Sequence, residues 1–435
     1  MLSVKKLCWT ALSVALVATV LMVMGCGGGG NTSSSSGTTK PVGTPDTTGV
    51  TDTEILLGTH MPLSQSPAAT YGVVADGMKA YFEYVNSQGG VHGRKIKLIV
   101  GDDHFSPPDA VEVVRRLVER DGVFAIVGGL GDPAHMAVMD YLAEKGVPDL
   151  FIGGGMPIYT DPLVKTRFAW LPDFVTEGKI LSDYVKEHFA GKTEGIIYEN
   201  NEAGLLGLQQ AEEAMADSNI KIVSKQAYDF GNFDLTSQVQ RLKADNPDFV
   251  YMFGNPGAVA SALKAARETL NWDLPFVISG VGAVEITIHL AGASNAEGVV
   301  SATRGHMISE TDDPGVQRHI ELMKQFAPGV EPSSMTEAGM TIAEYVVQAL
   351  KKAGPNLTRE SVVDGAEQIR GYCCIICLVP GSLSPTDHRL GETMWYERVV
   401  DGKWVRFNDT PVSYESTPGD VIACKNAGEP VYKDQ

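Results

Sequence analysis

Short apolar runs of strand character take turns with amphipathic stretches of helical period between residues 55 and 302, and this order constrains the fold more than any single motif. The runs are Ile55–Thr59, Ile96–Val100, Phe124–Val127 and Pro148–Ile152, then Gly195–Tyr198, Phe249–Phe253, Phe276–Ser279 and Gly298–Ala302. Between them lie Gly72–Asn86, Pro108–Arg120, Pro133–Glu144, Thr176–Phe189, Leu205–Asp217, Leu235–Ala244 and Ala258–Leu270. Strand and helix in strict turn give a parallel sheet covered by helices on both faces, so each strand is expected to be buried. The series pauses near Thr166–Phe174, where Arg167–Leu171 reads as a strand leading to a new unit. The expectation is an α/β chain of two doubly wound parallel-sheet lobes. Helical segments follow at Pro314–Phe326, Met335–Lys352 and Thr358–Gln368, and then a hairpin of Met394–Val400 and Lys403–Phe407. Its Asp401-Gly402 link suits a tight type I′ turn.

The N-terminus speaks to compartment. Lys5 and Lys6 precede an uncharged apolar run from Leu7 to Met24. The run ends in Val23-Met24-Gly25-Cys26, which resembles the lipobox of bacterial lipoproteins. Residues 1–25 then read as a leader that is removed, Cys26 as the lipidated residue, and the Gly/Ser/Thr-rich stretch 26–50 as a tether that cannot bury apolar surface. Length alone also suits a membrane-spanning anchor, which would leave the body on the same outer face. Either way the body is expected at the cell envelope, outside the membrane. With 35 Lys plus Arg against 53 Asp plus Glu, the formal charge is −18. Such a balance opposes nucleic-acid binding and docking on anionic lipid. Of six cysteines, Cys373, Cys374, Cys377 and Cys424 remain for the exported body. They point to two disulfides, with three pairings open. A four-thiolate zinc site would need a second Cys-x-x-Cys besides Cys374-x-x-Cys377. No metal or cofactor is expected.

Ligands of open parallel sheets bind beyond the carboxyl ends of the strands. There stand His60–Ser64 with Tyr71-Gly72, Gly128–Pro133, and Gly153-Gly154-Gly155-Met156. Ile55–Ser64, Tyr71-Gly72, Asn86–Ile96 with its Gly89-Gly90 and Gly93-Arg94, Asp102-Asp103, Gly146-Val147-Pro148, Glu177–Ile180 and Ser384–Arg389 come in an order that resembles type I periplasmic substrate-binding proteins. The likeness is to the branched-chain amino acid and amide branch that serves ABC importers, the leucine-binding-protein group. It implies lobes joined by a three-crossover hinge and closing on a small-molecule ligand for a membrane permease. The first lobe would take residues 51–172 and about 304–390, the second 173–303 and about 391–435.

The resemblance also implies a ligand-binding set. Tyr71 would pack on the solute. Leu130, Gly131 and Asp132 match one carboxylate loop of the family, and Gly154, Gly155 and Met156 the other. Asn200, Asn255 and Val281 fall in the second lobe, the last two near the family's ammonium-holding tyrosine and acid. Asp132 stands where a neutral hydroxyl is usual, Gly155 where a threonine is, and Val281 carries no acid. An acid facing a carboxylate, and an ammonium without an acceptor, argue against a plain zwitterionic amino acid. Asp132 also suits an N-cap before Pro133. Trp170, Phe174 and Glu177 sit at the crossover, where an aromatic lines the cleft or packs the hinge. Asp102-Asp103-His104 reads as a polar strand end, and His388 beside Asp387 as structural. The competing class is an exported hydrolytic enzyme, whose Gly-x-Ser-x-Gly or HExxH signature the sequence lacks. A ligand sensor is a variant of the binding class.

Overall fold

A computed structural model describes residues 45–415 and Cys424. The leader at 1–25, the lipidation residue Cys26 and nearly all of the tether lie outside the described residues. Each half of the body is built on one sheet. In the first, β1 (Glu54–Met61), β2 (Lys95–Asp102), β3 (Ala125–Val127), β4 (Asp149–Ile152) and β5 (Arg167–Ala169) lie in the order β2-β1-β3-β4-β5. All pairs are parallel, and α1 (Val74–Ser87), α2 (Pro107–Arg115), α3 (Asp132–Met136) and α4 (Met139–Glu144) supply crossovers.

The second sheet holds β6 (Thr193–Glu199), β7 (Lys221–Tyr228), β8 (Phe249–Phe253), β9 (Phe276–Ile278) and β10 (Val300–Thr303). Its helices are α5 (Phe174–His188), α6 (Glu202–Ala216), α7 (Thr236–Asp245), α8 (Pro256–Lys264), α9 (Glu285–Ala291) and α10 (Ala293–Ala296). Strand β8 shows why an unbroken apolar run fits here. Val250 and Met252 enter one core with α7 and α8, while Phe249, Tyr251 and Phe253 enter another with α5 and α6. Successive side chains point to opposite faces, and both faces are covered.

Strand β7 was not among the expected strands. Its sequence, Lys-Ile-Val-Ser-Lys-Gln-Ala-Tyr, mixes polar and apolar residues because it lies at the sheet edge with one side exposed. Lysines on an edge strand also discourage pairing with a second chain.

After β10 the chain returns to the first lobe through α11 (Pro314–Phe326), α12 (Ser334–Ala353) and α13 (Arg359–Ala366). It then enters the second sheet as β11 (Thr393–Val400), antiparallel to β10, with β12 (Lys403–Arg406) completing the hairpin and the short β13 (Val412–Ser413) beside β11. Helices α1 and α12 touch backbone to backbone. A Cβ on Gly77 would stand 2.1 Å from the Thr336 carbonyl oxygen, and one on Gly339 would stand 1.9 Å from that of Val74. This close crossing brings the first turn of α12 to the mouth of the first sheet.

Of the three open pairings, the structure takes Cys373–Cys424 and Cys374–Cys377. The first bridge spans a sequence separation of 51 and ties Cys424 back onto the first core. Among the described residues no helix is long and apolar enough to cross a membrane.

Candidate functional site

Between the carboxyl ends of the two sheets lies a cavity of about 280 Å³, walled mainly by apolar side chains. Contacts from opposite lobes clasp it. The Tyr71 hydroxyl, on a short 3-10 helix before α1, donates to the Val281 carbonyl at 3.2 Å. Phe105 stacks on Phe230 with ring centroids 4.8 Å apart. The Ser334 hydroxyl, at the start of α12, donates to Glu285 Oε2 of α9 at 2.6 Å.

Of the ten residues expected to meet a ligand, Tyr71, Leu130, Gly131, Asp132, Gly154, Asn255 and Val281 line this cavity. Gly155, Met156 and Asn200 do not. The position of Gly155 is filled by Phe174, whose ring would lie 2.3 Å from an added Cβ, and Met156 packs into the hydrophobic cores. Asn200 points to the exterior and donates to Asp229 at 3.0 Å, while its neighbours Glu199 and Asn201 take the cavity. Of the crossover residues, Trp170, Phe174 and Glu177 all line the wall.

Asp132 is not an N-cap: Gly131 holds that place, and Asp132 Oδ1 accepts from the Gly155 amide at 3.1 Å and the Tyr159 hydroxyl at 2.9 Å. Burial pushes its carboxyl above the usual carboxylate range, against the pull of these donors. It staples the two first-lobe loops together. Behind it runs a fully buried chain: Asp103 to His60 at 2.7 Å, His60 to His135 at 3.0 Å, and His135 to Asp149 at 2.9 Å. Gly129 passes directly over the two rings, since a Cβ there would stand 2.6 Å from each. Asp102 and His104 remain local, holding Leu63, Ser64 and Asp109, and among the described residues no His/Cys/Asp/Glu group is arranged to hold a metal ion. His388 is buried on Phe168, with Nδ1 bonded to the Arg167 carbonyl and Nε2 3.3 Å from Glu367 Oε1, and it does not line the cavity.

The cavity wall carries Glu199, Glu337 and Glu397, acids that the sequence reading did not place there, beside Glu177 of the crossover. Glu199, at the end of β6, accepts from Asn201 at 2.6 Å, Tyr228 at 2.9 Å and Asn255 at 2.9 Å. Glu177 accepts from the Gly280 amide at 2.8 Å, and burial raises it to about 7. Glu337 of α12 and Glu397 of β11 complete the set of lining carboxyls. Val281 carries no acid, as the sequence reads, but Glu177, Glu199, Glu337 and Glu397 line the same cavity. Arg304 also lines the wall, with its guanidinium bonded to the Trp170 carbonyl and set over the Trp170 ring.

The family model described as periplasmic binding protein matches residues 54–403. A Leu/Ile/Val-binding protein homolog from Brucella suis is 24% identical over 310 residues, covering 71% of this chain and 81% of the relative. Two solved structures share the fold. A branched-chain amino acid ABC transporter protein from Thermus thermophilus with bound valine aligns with TM-score 0.75 at 18% identity, over 83% of this chain and 96% of its own. A fatty acid ABC transporter substrate-binding protein from Thermomonospora curvata aligns with TM-score 0.76 at 22% identity, over 86% and 96%.

Proposed function

The chain belongs to the periplasmic binding protein family, and from that premise we propose that it captures a small organic solute between its lobes and delivers it to an ABC importer. The observation that carries this reading is the clasped, mostly apolar cavity, closed by the Tyr71–Val281 bond between elements of opposite sheets. Such a molecule works by differential affinity: a solute that touches both lobes favours the closed form over the open one. An apolar wall with a few polar groups suits a solute with an apolar body, whether amino acid-like, an amide, or an aromatic or carboxylic compound. The valine-bound Thermus protein and the fatty acid transporter protein of Thermomonospora support that breadth. Cys26 carries the lipid anchor in this proposal, and the stretch after it is the tether that leaves the lobes free at the outer face of the membrane.

The test is a thermal-shift screen over amino acids, their amides, amines, aromatic acids and short dicarboxylates. At least one class is expected to raise the melting temperature, because a ligand held only by the folded state stabilises it. If every class leaves the melting temperature unchanged, or any hit is turned over chemically, the solute-capture reading fails.

A further inference from the structure

Resting on the solute-capture reading, we propose that the solute is an organic cation, an ammonium group on an apolar body, whose charged head is received by Glu337 and Glu397.

The argument begins with which lining carboxyls already have partners. Asp132, Glu177 and Glu199 are met by amides, hydroxyls and side-chain amides of the protein itself. Glu337 and Glu397 are not: among the described residues no donor reaches either carboxyl. Glu337 is 2% exposed and Glu397 3%, and Glu337 Oε1 is a buried oxygen without any hydrogen bond. A buried acceptor left unmade costs about 1–3 kcal/mol, and more when charged. Glu337 is a standing demand for a donor from outside, and Glu397 lines the same cavity without a donor of its own.

The acids around these two glutamates disfavour an anion beside them. Facing Glu337 and Glu397 from neighbouring elements are Glu285 of α9, Glu310 and Asp313 before α11, and Glu177 of α5. Two of the nearby cations are paired with acids: His306 bonds Glu310 and lies 3.5 Å from Asp313, and Arg406 of β12 bonds Glu310; Arg304 of the same wall is turned to the Trp170 carbonyl and ring. Burial, reinforced by the neighbouring carboxylates, pushes both glutamates well above their usual range. Without a cation they hold protons, and an ammonium group displaces them. The aromatic wall of Tyr71, Phe105, Trp170, Phe174, Phe230 and Phe253 adds ring faces that attract cations.

The experiment uses pairs of probes that share a body and differ in charge: isoamylamine against isocaproate, and phenethylamine against 3-phenylpropionate. Calorimetry on the exported chain is expected to show binding of an amine and none of its matched acid. Runs in two buffers of different ionisation enthalpy should reveal proton release, with affinity severalfold higher at pH 8 than at pH 6. Glu337→Gln, nearly isosteric, should weaken amine binding at least tenfold and reduce proton release while leaving the melting temperature unchanged or raised. Glu397→Gln repeats the test should the first variant fail to fold. Preference for the acids, unchanged amine affinity in both variants, or binding by some other class of the screen without any amine overturns the cation assignment and leaves solute capture standing. Silence from every class removes both.

Discussion

Asp132 and Glu337 are acids of the same cavity, both contributed by the first-lobe side and both buried, yet the chain treats them in opposite ways. Asp132 has an amide and a phenol aimed at it, and these bonds join the loop after β3 to the loop after β4. Glu337 has an oxygen with no partner at all, on a helix held rigidly by its close crossing with α1. A carboxyl matched from within is part of the scaffold, whereas one left unmatched on a rigid element is kept for something that arrives. The same division separates Glu199, with its three side-chain donors, from Glu397.

The sharpest way to break this contrast is Asp132→Ala. It leaves the Tyr159 hydroxyl and the Gly155 amide without their acceptor, and the expected loss is about 3 kcal/mol of unfolding free energy in denaturant titration. A loss below about 1 kcal/mol would mean that Asp132 is no staple. Next comes pH. Glu177 sits at about 7 in the folded chain, and Glu194 and Glu344 at about 8, each raised chiefly by burial from 4.5. Between about pH 4.5 and 8 the folded state therefore holds more protons than the unfolded state, and stability falls as pH rises through that window. Melting followed by circular dichroism should show a loss of several kcal/mol from pH 5 to pH 8, partly offset below about pH 6.5 by His319, which burial lowers to about 4, and a rise over that interval would contradict the assignment. Tyr71→Phe removes one hydrogen bond between the sheets and should weaken solute binding by about fivefold, or about 1 kcal/mol, with the melting temperature of the unliganded chain little changed. Glu337→Gln has a small effect on folding, opposite in sign to Asp132→Ala: a gain of up to about 1 kcal/mol in denaturant titration, because a neutral amide costs less to bury than an unmatched acid.

Much of the scaffold was legible. Fully covered strands such as β3, β4 and β8 need apolar residues on both faces, so they stand out as unbroken runs. Strand β7 did not, since an edge strand keeps one face polar and its pattern blends into a loop. The site was legible where it rests on strand ends: Tyr71, Leu130–Asp132 and Gly154 follow from where open sheets hold ligands. Asn200 was one residue out, because the turn after β6 sends Glu199 and Asn201 inward and Asn200 outward. Glu337 and Glu397 were invisible for a different reason. They lie inside a helix and a strand of the chain's last third, and only the two late crossovers bring them to the cavity. An acid near the start of the apolar stretch Met335–Leu350 and another within Met394–Val400 were the available signals.

The buried line Asp103–His60–His135–Asp149 has three gaps of 2.7, 3.0 and 2.9 Å, and each gap needs one hydrogen to be a bond. Two neutral imidazoles bring two. The third gap has none of its own, so the two neutral rings can close only two of the three gaps at once. The line ties β1, the end of β2, α3 and β4 together beneath the Gly128–Asp132 loop, so an apolar residue in place of either histidine strips a buried carboxyl of its imidazole partner and loosens several elements at once.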